Sequence, residues 1–81
     1  MKDPDLAMEM LCSLCKAPYT ADAADLAHDL DIDEQAVTGL ARELVANGYG
    51  VIDYGAAYCI RTDDWERSRL EAQRYWDYMY V

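Results

Sequence analysis

Residues 33–60, DEQAVTGLARELVANGYGVIDYGAAYCI, restrict the fold of this chain more than any other stretch. Val37, Leu40, Ala41, Leu44 and Val45 recur at intervals of three and four, which predicts one helix with a single buried face. Asp33 stands where an N-cap side chain would accept the free amides of the first turn. Asn47-Gly48 predicts the end of the helix, because glycine enters the left-handed conformation without steric cost. Two short runs of strand-forming residues follow, Val51-Ile52-Asp53-Tyr54 and Tyr58-Cys59-Ile60, with Gly55-Ala56-Ala57 as the turn between them.

The flanks read as further helices. Asp3-Pro4-Asp5 opens a first one, with proline tolerated and acids favoured in the first turn, and Leu6, Met10, Leu11, Leu14 and Cys15 form its apolar stripe. Pro18 breaks it. Thr20 is the expected N-cap of a second helix over 21–30, with Ala23, Ala24, Leu26, Ala27 and Leu30 buried, and Asp31-Ile32-Asp33 is the turn. Asp63, with Glu66 three residues on, predicts the start of a last helix running from 64 to about 79. Glu71, Arg74 and Asp77 are spaced to pair on its surface. The expected fold class is therefore α+β and mostly α: a three-helix helix-turn-helix core, a two-stranded β-wing and an extra C-terminal helix. Residues 1–62 form the domain, and 63–81 are the added element.

Charge bears on what such a unit can bind. Among 81 residues, sixteen acids against seven bases give −9. No third of the chain escapes: residues 1–32 carry −5, 33–62 carry −2 and 63–81 carry −2. An ordinary nucleic-acid binder shows a basic face, and composition offers none here. The length suits one domain with a modest core. No apolar run is long enough for a membrane span. The acidic start is unlike a secretory signal, and three cysteines are an odd number, so a reduced, cytoplasmic setting is expected.

Ala24-Asp25-Leu26-Ala27, Leu30-Asp31-Ile32, Val37, Leu44, Gly48 and Tyr58-Cys59-Ile60 together resemble the winged-helix domain at the N-terminus of the biotin operon repressor and related regulators. The resemblance spans residues 19–62 and implies DNA binding by analogy. The wing turn lacks the bases usual there, the recognition helix first exposes Glu34, and no ligase domain follows, so biotin chemistry is not implied.

On the third helix, Gln35, Thr38 and Arg42 lie off the buried stripe and have the chemistry to read a major groove, while Glu34 and Glu43 oppose it. Tyr54 and Arg61 of the wing are candidate sugar–phosphate contacts. Gly39 either lets DNA or another helix approach or is a tolerated helix defect. Trp65, Ala72, Tyr75, Trp76 and Met79 form a bulky stripe on the last helix, flanked by Leu70 and Tyr78. It either folds back on the first helix or joins the same helix of a second copy; the homodimer is the preferred reading, because it would present two reading heads to two half-sites. Cys12 and Cys15 with Cys59 and His28 have the chemistry of a zinc set, but the CxxC lies inside a helix without a second pair, and no metal is expected. No catalytic constellation, cofactor or small-molecule ligand is read from the sequence. The expected function is double-stranded DNA binding in transcription regulation, the alternative an acidic winged-helix module that binds protein.

Overall fold

The computed structural model describes residues 3–16 and 20–80. It is mostly helical, with four helices and one small antiparallel sheet: α1 (Pro4–Lys16), β1 (Ala21–Asp22), α2 (Ala23–Leu30), α3 (Glu34–Ala46), β2 (Val51–Asp53), β3 (Ala57–Ile60), a 3₁₀ turn (Thr62–Asp64) and α4 (Trp65–Tyr80). The break expected at Pro18 lies outside the described residues, as does Tyr19 at the start of the resemblance.

The third helix and its hairpin form as their residues require. Asp33 Oδ1 accepts the Ala36 amide at 2.7 Å, and Val37, Leu40, Ala41 and Leu44 are buried. Val45, expected on that face, is instead 52% exposed. Gly48 takes φ +90° to end the helix, and Gly55 takes φ +90° to turn the hairpin. The strands pair Val51 with Ile60, Ile52 with Cys59 and Asp53 with Tyr58. Asp53 Oδ1 accepts the Gly55 amide at 2.6 Å, and the Tyr54 amide closes on Ala57 O at 2.9 Å.

Several expectations are corrected. The sheet has three strands in the order β1-β3-β2, because Ala21 and Asp22 are extended and pair with Tyr58 and Ala57. Their helix propensity yields to an open strand edge that needs hydrogen bonds. The second helix consequently starts at Ala23, and Thr20 is not its cap; the Ala23 amide is taken by Ala56 O at 2.8 Å. Ala24 is exposed, not buried. Finally, Asp63 does not cap the last helix. It binds Arg61 Nε at 2.9 Å, a 3₁₀ turn precedes α4, and Gln73, not Arg74, reaches Asp77 at 2.9 Å.

The core is built from Met10, Leu11 and Leu14 of α1, Leu26 of α2, Val37 and Leu44 of α3, and Tyr58 and Ile60 of β3. Burying a side chain of this size contributes about 1.5–3 kcal/mol. The last helix lies along α1, with Ser68 and Ala72 buried and the Cys12 thiol donating to Ala72 O at 3.5 Å. Small residues four apart allow that close approach. Asp64 ties the start of α4 to the loop after α3, since its carboxylate accepts Gly50 N–H at 2.7 Å, Ser68 Oγ–H at 3.0 Å and Arg67 Nη2–H at 3.3 Å, with Arg67 Nε 3.0 Å away as an ion pair. Arg67 also donates to Gly48 O at 2.6 Å and lies 4.9 Å over the Tyr49 ring.

Candidate nucleic-acid interface

The outer side of α3 is open. Glu34, Gln35, Gly39 and Arg42 are exposed, and α4 lies on α1 instead of across them. Gln35 and Arg42 are seven residues apart, two helical turns, so they share one face with roughly 10 Å of axis between them. A methyl group placed on Gly39 would meet no heavy atom within 4 Å, so nothing inside the chain requires glycine there.

The five residues read as DNA contacts do not form one cluster. Thr38 is half-buried, and its hydroxyl sits 3.3 Å from Glu34 O and 3.1 Å from the hydroxyl of fully buried Tyr58. That side chain is turned toward the sheet. Tyr54 is 64% exposed at the hairpin tip beside Gly55. Arg61 lies at the other end of the hairpin, past Ile60, where its amide bonds Gly50 O at 2.6 Å and its guanidinium is held by Asp63. Gln35, Arg42 and Tyr54 thus keep free polar groups, whereas Thr38 and Arg61 are partly committed within the chain.

Arg42 forms no ion pair with a described carboxylate and lines a shallow groove of about 250 Å³ with Ala41, Val45, Val51 and Asp53. Asp53 is the one carboxylate among the residues lining that groove. The Tyr58–Thr38 bond and the placement of Asp53 escaped the sequence reading. The Asp53-x-Gly55 spacing signals a turn stabilised by the Asp side chain and so fixes where Asp53 sits; nothing in the sequence signals the Tyr58–Thr38 bond.

Of the residues expected to join two copies, Ala72 is 5% exposed and Tyr75 packs on the core, so both serve the α1–α4 contact within the chain. Trp65, Trp76 and Met79 remain 37%, 40% and 45% exposed, beside the still more open Leu70, Tyr78 and Tyr80. Among the described residues no three of His, Cys, Asp and Glu converge as a metal site, and no helix is long and apolar enough to cross a membrane. Burial raises the pKa of Cys12 and pushes that of Cys15 up to about 11. Compared with known proteins, the chain matches no family model, no curated protein and no solved structure.

Proposed function

We propose that this chain is a cytoplasmic winged-helix protein that binds double-stranded DNA as a transcription regulator. In this reading α3 enters the major groove, with Gln35 and Arg42 facing base edges, and the hairpin tip at Tyr54 touches the adjacent backbone. One observation carries it: the outward face of α3 is left uncovered while the fourth helix packs elsewhere. The acids do not forbid it, because charges on far faces are screened beyond about 8–10 Å at physiological salt. The function calls for no catalytic group, metal or cofactor. Trp65, Trp76 and Met79 are the surface through which two copies would pair, placing two reading heads on one duplex.

Fluorescence anisotropy with mixed-sequence duplex DNA at low and at molar salt tests the reading. Binding is expected at low salt, and Arg42→Ala weakens it by about 1–3 kcal/mol. No binding at any salt overturns it. Light scattering after gel filtration tests the pairing, and a monomer mass at high concentration removes it.

A second reading has its own support. The Arg61–Asp63 pair and Asp53 beside Arg42 thin out the positive charge a duplex needs, and the Thr38 hydroxyl is engaged by Tyr58 instead of facing a groove. On that reading the same open face meets a basic protein, and electrostatic complementarity sets the choice of partner.

A further inference from the structure

The contact between α1 and α4 is incomplete. Beside the Cys12–Ala72 contact it leaves a cavity of about 320 Å³, at the lower end of the range for small-molecule sites. Its walls include Lys16, Arg69, Gln73, Cys15 and Trp76, and no carboxylate lines it. Two of the seven bases of a chain at −9 thus open onto one hollow. Neither is paired with a described carboxylate, and the Lys16 ammonium stands 4.5 Å over the Trp76 ring. The indole, Ala72 and the two thiols supply apolar wall; burial keeps the thiols protonated, so they add no competing anion.

A neighbouring hollow of about 420 Å³ shares Cys12, Lys16 and Trp76 but adds Glu9 and Asp29. Those acids repel any ligand whose negative charge extends past Lys16. A polyphosphate or nucleic-acid strand is disfavoured there, whereas a compact monoanion with a flat apolar body meets Arg69 together with Lys16, whose ammonium lies over the indole that the apolar body would also touch.

We propose that the α1–α4 cavity binds a small aromatic or similarly flat carboxylate, with Arg69 and Lys16 holding the carboxylate and Trp76 covering the apolar body. This site shares no residue with the DNA-reading face of α3, although Trp76 also belongs to the proposed pairing surface, so the titration is run on the monomeric chain as well as on any dimer. The probe is benzoate, with neutral benzamide as the control of the same shape, added to the full chain and followed by the indole N–H shift of Trp76 in NMR spectra, assigned against Trp65→Phe. Benzoate is expected to give a saturable shift. Benzamide, and benzoate with Arg69→Ala or Lys16→Ala, bind on the order of tenfold more weakly. Both side chains are exposed, and amide spectra check that the variants stay folded. No saturable Trp76 shift, equal binding of benzoate and benzamide, or unchanged binding in both charge variants would each overturn the proposal.

Discussion

Replacing Asp64 by alanine is expected to destabilise the chain more than any other single surface-proximal change. Its carboxylate receives the amide of buried Gly50 at 2.7 Å, the hydroxyl of fully buried Ser68 at 3.0 Å and the Arg67 guanidinium at 3.0 Å. Losing the acceptor leaves a buried amide unpaired, at about 1–3 kcal/mol, and strands the serine hydroxyl unless it turns to a carbonyl four residues back. The Arg67 side chain is half exposed, so the ion pair itself adds little. The sum is about 2–4 kcal/mol, from a total of about 4–12 kcal/mol for a domain this size. Urea denaturation followed by circular dichroism measures it as a fall in midpoint at unchanged slope. Asp64→Ala combined with Ser68→Ala should cost less than the two changes separately, because the hydroxyl that needed the carboxylate is gone. A loss below about 1 kcal/mol, or strict additivity, would refute the view of Asp64 as the tie between α4 and the loop after α3. Acid adds a second check. The Gly50 amide above all, then Ser68 and Arg67, hold the Asp64 carboxyl below its ordinary value of 3.8 against the opposing effect of burial. A depressed carboxyl contributes stability above its unfolded value and loses it as pH falls through the folded one, so wild type should lose stability below about pH 4 more steeply than Asp64→Ala.

Gly50→Ala should cost about 1–3 kcal/mol in the same assay, since its new methyl would lie 2.8 Å from Asp64 Cβ, an atom fixed to the backbone; an unchanged midpoint would refute that crowding. Gly39→Ala should do the reverse and stabilise by up to about 1 kcal/mol, because its site is helical, exposed and open. If α3 enters a groove there, the same variant weakens DNA binding while it stabilises the fold, and anisotropy on the stabilised protein separates the two effects. At alkaline pH the sign is set by two raised groups. Burial first, then the nearby Glu71 carboxylate, pushes Tyr49 from 10.0 up to about 12, and burial takes Cys15 from 9.0 up to about 11. Groups raised in the folded state stabilise it below their unfolded values and lose that contribution as pH climbs to the folded ones. The urea midpoint should therefore fall between about pH 9 and pH 12, less steeply in Tyr49→Phe.

The helix over 34–46, its Asp33 cap, its stop at Gly48 and the hairpin turn at Gly55 were legible because each is a local device whose chemistry is complete within a few residues. What escaped depends on distant partners. Ala21-Asp22 carries no strand signal of its own and becomes one only where β3 offers an unpaired edge. Asp63 has the right spacing for a capping box, yet Arg61 two residues earlier takes its carboxylate and the adjacent Asp64 makes the long-range bonds. On the last helix the stripe read through Trp65, Ala72, Tyr75, Trp76 and Met79 is split by the structure: Ala72 and Tyr75 pack within the chain, whereas Trp65, Trp76 and Met79 stay partly exposed. Ser68 escaped as well, because a serine does not look like core in a sequence although a close helix contact favours small residues. Among the candidate contacts, the exposure of Gln35 and Arg42 followed from helical phase, whereas the inward turn of Thr38 required knowing that the Tyr58 hydroxyl ends beside it.

The docking of α4 links the two surfaces proposed to bind. Of the stripe on the terminal helix, Ala72 and Tyr75 pack within the chain together with Ser68, while Trp65, Trp76 and Met79 stay partly exposed. Asp64 fixes the start of the helix to Gly50, and the Ser68–Ala72 pair lets it lie close along α1. Tyr80 secures the far end, where its hydroxyl donates to Glu9 at 3.0 Å and its ring lies 4.3 Å from that of Trp76. Tied at its start to the loop after α3 and at its far end to Glu9 of α1, the helix lies along α1, and the outer face of α3 stays open. The same placement sets Trp76 and Arg69 opposite Lys16 around a gap that Ala72 is too small to fill. The exposed face of α3 and the cation-lined hollow are thus two consequences of one packing decision.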